Sequence, residues 1–76
     1  MYYPVEYKQF NDGNARYFLK TLNTKEEVEE FIAEIKKNHE DQGYRVQVES
    51  WPCGNISVEV YAGWDRTCQY LIKAKA

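Results

Sequence analysis

A single stretch of helical periodicity, set between strand-like segments, limits this chain more than any other feature. Thr24-Lys25-Glu26-Glu27 fits a capping box, in which the Thr24 hydroxyl and the Glu27 carboxylate satisfy free helix N–H groups reciprocally. Val28, Phe31, Ile32 and Ile35 follow at i, i+3, i+4 and i+7 as one apolar stripe, and glutamates occupy the remainder. Glu26, Glu27, Glu29 and Glu30 lie near the positive end of the helix dipole, and Lys36 and Lys37 lie nearer its negative end. The pattern predicts a helix from Thr24 to about Gln42, with Gly43 as its left-handed stop.

The flanking segments alternate with the period of strands. Tyr2 to Phe10 and Ala15 to Leu22 surround Asn11-Asp12-Gly13, a hairpin signal. Pairing Tyr7 with Tyr17 and Val5 with Leu19 keeps both faces consistent and puts Gly13 in the left-handed position of a three-residue loop. Tyr44 to Trp51 and Ile56 to Ala62 form a second hairpin around Pro52-Cys53-Gly54, with Val46 opposite Val60 and Val48 opposite Val58. Thr67 to Lys75 alternates Cys68, Tyr70, Ile72 and Ala74 and supplies a fifth strand. The fold class is therefore α+β, a single domain over residues 1–76. The order is β-β-α-β-β-β, an antiparallel-rich five-stranded sheet with one helix packed on one face. The third strand runs parallel to the second by the right-handed crossover rule. The pattern leaves the edge strands open; second-first-third-fourth-fifth is one order in which every neighbouring pair is antiparallel.

One helix covers one side of such a sheet. The covered set is Tyr3, Val5, Tyr7, Tyr17, Leu19, Tyr44, Val46, Val48, Ile56, Val58, Val60, Tyr70 and Ile72. The other side then carries Tyr2, Phe10, Phe18, Leu22, Trp51, Tyr61 and Leu71, interleaved with Lys8, Arg16, Lys20, Arg45, Lys73 and Lys75 against Glu6, Glu49 and Glu59. Six bases against three acids give that face +3, whereas residues 25–42 carry three lysines against seven acids, or −4. The whole chain is nearly balanced at −2, which excludes the globally basic footprint of a dedicated duplex-DNA binder.

Catalytic chemistry finds little to use. His39 is the sole histidine, at the C-terminal end of the helix stripe, where such a side chain commonly complements the dipole. Cys53, Cys68 and His39 lack the paired spacing of zinc sites, and no glycine-rich loop resembles a phosphate cradle. The second hairpin and the fifth strand hold Cys53 and Cys68 too far apart for a disulfide, so two free thiols are expected, as suits a reducing cytoplasm. Cys68 reads as a small buried hydrophobe and Cys53 as a turn residue. Glu26, Glu27, Glu29, Glu30 and Glu34 read as a solvated helix face, and Trp64-Asp65-Arg66 as a charged turn. No apolar run reaches the roughly 18 residues of a membrane span, and no leader is visible. Neither enzyme activity, nor a cofactor, nor a metal, nor a membrane partner is expected.

The expected function is protein binding by a small non-enzymatic domain that occupies a partner's surface. Inhibitors and adaptors of this size, including anti-defence proteins carried by bacteriophages, offer an analogy of size and architecture. The candidate contacts are Phe10, Arg16, Phe18, Lys20, Arg45, Trp51, Tyr61 and Leu71 on the sheet face. Alternatively, Glu29, Glu30 and Glu34 on the helix would meet a basic protein by complementary charge. Two other expectations compete: single-stranded nucleic acid stacked on the bare sheet face, and a homodimer closed through the sheet. Ile35→Asp is expected to unfold the domain, and Trp51→Ala to spare folding more than binding.

Overall fold

The computed structural model describes residues 1–10, 13 and 15–76. Among them the chain forms β1 (Tyr3–Gln9), β2 (Arg16–Leu22), α1 (Lys25–Glu40), β3 (Arg45–Ser50), β4 (Ile56–Ala62) and β5 (Asp65–Ile72). The β-β-α-β-β-β order and the single antiparallel sheet are those expected from the sequence. The strand order is β2-β1-β5-β4-β3, so β5 is central and β3 is an edge. This corrects the order drawn from strand direction. β3, β4 and β5 form a meander, and either of its outer strands runs antiparallel to β1. Docking through β5 puts Cys68, Tyr70 and Ile72 in the middle of the sheet and leaves Arg45, Gln47 and Glu49 of β3 at the rim, where charge blunts an edge.

The helix cap forms nearly as the sequence implies. Thr24 Oγ1 accepts from Glu27 N–H at 3.1 Å, whereas the Glu27 carboxylate accepts from Asn23 N–H at 2.8 Å, one residue ahead of the cap. The helix ends two residues short of Gln42. Its last turn tightens, and His39 O accepts from both Gln42 N–H and Tyr44 N–H. Gly13 and Gly43 take the expected positive φ of 73° and 88°; Asn11 and Asp12 of the first hairpin loop lie outside the described residues. At Gly54 the backbone leaves no choice. Its φ is 97°, and a Cβ there would stand 3.1 Å from that of Ala74. The nearby Asn55 side chain accepts from Ala74 N–H at 2.9 Å, tying the C-terminal segment to this turn.

The second hairpin has the expected register, Val46 opposite Val60 and Val48 opposite Val58. The first hairpin departs from expectation. Tyr7 faces Tyr17 and Glu6 faces Phe18, but Val5 faces Lys20, because Leu19 is an extra residue in a β-bulge. The alternation therefore resets after Phe18. Leu22, expected on the bare face, faces Tyr3 and joins the core, and Lys20 turns to the helix side with its Nζ 5.1 Å from the Phe31 ring centroid.

The core is Tyr3, Val5, Leu22, Val28, Ile35, Val58, Val60, Cys68 and Ile72. Four residues expected under the helix are exposed instead: Tyr17, Leu19, Tyr44 and Val48. All four lie on or beside the edge strands β2 and β3. The reason is width. Five strands at about 4.8 Å spacing are roughly 19 Å across, and a helix roughly 10 Å thick blankets only the central ones.

Candidate docking surface

The uncovered sheet face is organised in cross-strand rows. One row runs Phe10, Arg66, Tyr61, Arg45 and alternates ring with cation. The Arg66 guanidinium lies 4.1 Å from the Phe10 ring centroid, with the Lys8 ammonium 5.0 Å from the same ring, and the Arg45 guanidinium lies 4.6 Å from the Tyr61 centroid. Arg66 reaches this face because a second bulge lets Tyr61 pair with Arg66 while Val60 pairs with Cys68. Arg66 also donates to Glu59 at 2.6 Å, and Gln69 donates to Ser57 Oγ at 2.7 Å. Glu59 and Ser57 are consequently only 8% and 1% exposed, although they alternate with the core valines of β4. Long polar side chains close over the middle of the face that the helix leaves bare.

Ion pairing neutralises much of the rest. Glu6 accepts from Arg16 at 3.4 Å and from Lys73 at 3.1 Å. The Lys73 hydrogen bond holds the Glu6 carboxyl below the usual carboxylate range against the opposing effect of burial, and the Lys73 charge and Arg16 add to the lowering. Losing Lys20 and gaining Arg66 leaves the face at six bases against three acids. Glu6 and Glu59 together engage three of those bases.

The sheet-face candidates are therefore not one patch. Phe10, Tyr61 and Leu71 are half-buried. Arg16 is paired, Arg45 lies against Tyr61, and Lys20 is on the opposite face, a correction forced by the Leu19 bulge. Trp51 is 41% exposed, but it follows β3, four strand spacings from Phe18 on β2. Two features stand out instead. Trp64, 95% exposed, tips the two-residue turn between β4 and β5. Along β2, Tyr17, Phe18 and Leu19 are 51%, 66% and 46% exposed, three successive large apolar residues on a strand with a neighbour on one side only.

On the helix side of β2 lies a groove. Its upper part is lined by Leu19, Phe31, Ile35 and Tyr70, with Asn38 and His39 at the end. Its lower part runs past Thr21 and Leu22 under Glu27 and Glu30, and Lys20, Phe31 and Glu34 border both parts. Glu30 and Glu34 of the helix candidates thus overlook β2, whereas Glu29 does not line the groove. His39 is half-buried above it, its Nδ1 2.9 Å from Ile35 O and its ring against Tyr44 and Tyr70. Sequence reasoning placed Phe18 and the two glutamates separately. It missed Tyr17 and Leu19, which alternation assigns to the core unless the edge position of β2 is known.

Cys53 is exposed and Cys68 buried, both as free thiols. Among the described residues no group of three or more His, Cys, Asp or Glu side chains is placed to hold a metal ion, and no helix is long and apolar enough to cross a membrane. No protein family, characterised protein or solved structure matches this chain.

Proposed function

We propose that this chain is a non-enzymatic protein-binding module that acts by occupying its partner's surface, and that it does so through the outer edge of β2. The observation that carries this reading is the run Tyr17-Phe18-Leu19, exposed on both faces of an edge strand. Such an edge presents unpaired backbone N–H and C=O groups, and soluble proteins ordinarily blunt it. β3 is blunted in that way by Arg45, Gln47 and Glu49; the middle of β2 is not. Aromatic residues are enriched at protein interfaces and among the few side chains that carry most of the binding energy there. Stacking of nucleic-acid bases has less support, because Phe10 and Tyr61 already have cations against their rings.

The test is affinity capture from cell extract with native mass spectrometry, run on the wild-type chain and on Phe18→Ser. Phe18 is too exposed for the substitution to threaten the core. A partner held by the wild type and lost by Phe18→Ser is the expected result. A partner held equally by both removes β2 as the contact.

A further inference from the structure

The groove beside β2 constrains the chemistry of what pairs with it. Resting on the docking reading above, we infer that the partner contributes an extended segment in which basic and apolar side chains alternate, added to β2 as a sixth strand. A strand laid about 4.8 Å outside β2 has its side chains alternately on the two faces of the sheet. One set enters the groove, against Leu19 and Phe31 and beneath the carboxylates of α1. The other set meets Phe18, which projects from the opposite face beside Glu6.

Charge decides which set is basic. Glu27, Glu30 and Glu34 line the groove against Lys20, a net −2. Glu27 is committed to Asn23 N–H, and Lys20 lies over Phe31, while Glu30 and Glu34 make no ion pair or side-chain hydrogen bond among the described residues. Spacing supports the match. Residues four apart on a helix are separated by about 6 Å along its axis, and alternate residues of a strand by about 6.6 Å. Two basic side chains on one face of an extended segment therefore face Glu30 and Glu34 together. Their aliphatic stems cover the apolar floor while their heads reach the carboxylates. A second copy of this chain fits less well, because β2 turns a single cation, Lys20, to its helix side and carries Arg16 on the other.

The probe is a capped seven-residue peptide alternating lysine and valine, titrated into the isotope-labelled protein and followed by NMR. Controls are the same peptide with glutamate for lysine and a peptide of the original composition with its lysines in one block. The alternating basic peptide is expected to shift amides of β2 and of the groove side of α1, and to slow hydrogen exchange along the outer edge of β2. Glu30→Gln/Glu34→Gln and Glu30→Lys/Glu34→Lys should weaken it, the latter by about tenfold or more, whereas Glu29→Lys leaves it unchanged. Equal binding of the acidic or the blocked peptide overturns the inference, as does indifference to the Glu30/Glu34 variants or self-association of the unaltered chain through β2 at low salt. If a captured partner depends on Phe18 but not on Glu30 and Glu34, the docking reading stands and this inference falls; loss of the Phe18 dependence removes the docking reading itself.

Discussion

Tyr70 lies on the central strand under the helix, its ring centroid 5.1 Å from that of Tyr7, 5.8 Å from Phe31 and 6.2 Å from His39. Burial, with smaller effects of the neighbouring Cys68 thiol and Tyr7 phenol, pushes its phenol up to about 12. Burial raises Tyr7 and Cys68 in the same direction. The folded state thus keeps these groups neutral where the unfolded chain ionises. The contribution of the two tyrosines is complete below the ordinary tyrosine value and is lost as pH rises from about 10 towards 12. Denaturant midpoints should fall over that interval, and Tyr70→Phe should flatten the fall; an unchanged slope would place Tyr70 in water. The strand period already identifies Tyr70 as a core residue. Trp51 shows where single-residue reading fails. It was expected to matter for binding, yet it stands at the far rim from β2, so Trp51→Ala should now spare both folding and capture of the β2-dependent partner.

The β2 strand separates what alternation can and cannot reveal at the scale of an element. Sequence period two predicts which residues share a face only while the ladder is regular, and a bulge transposes every residue beyond it. Nothing in Arg16-Tyr17-Phe18-Leu19-Lys20-Thr21-Leu22 announces that Leu19 is the extra residue, since leucine suits either face. The α1 cap and stripe were legible because capping chemistry and the 3.6-residue period are local. The bulge was not, because it is a property of β2 measured against β1. A pair of substitutions separates the two registers. Leu22, 6% exposed in the core, should cost roughly 2–5 kcal/mol on truncation to Ala. Leu19, 46% exposed, should cost well under half as much. Urea unfolding of the two variants gives the order directly, and a larger loss at Leu19 would restore the unbulged hairpin.

For the whole molecule, strand directions were readable but strand order was not. A three-stranded meander presents two outer strands of the same direction, so antiparallel pairing with β1 is satisfied by either. The choice falls to burial on both faces of the sheet, which favours β5 at the centre and leaves β2 and β3 as edges. That outcome also moves the proposed docking surface from a broad aromatic face to a narrow rim, where the acidic helix lies beside an apolar strand. The rim must avoid pairing with itself. In a two-fold antiparallel contact through β2, the Glu30 and Glu34 carboxylates that overlook its helix side would approach those of the second copy, so like charges oppose the pairing. Their repulsion is screened within about 10 Å at 0.1 M salt and about 3 Å at 1 M, while the exposed Tyr17, Phe18 and Leu19 favour association at any ionic strength. Sedimentation should therefore show a monomer at low salt and increasing self-association as salt is raised. Phe18→Ser should suppress that increase, and Glu30→Gln/Glu34→Gln, which removes the like charges across the two-fold, should bring self-association down to low salt. A dimer at low salt in the unaltered chain would mean that β2 is closed by its own copy and is not free for another protein.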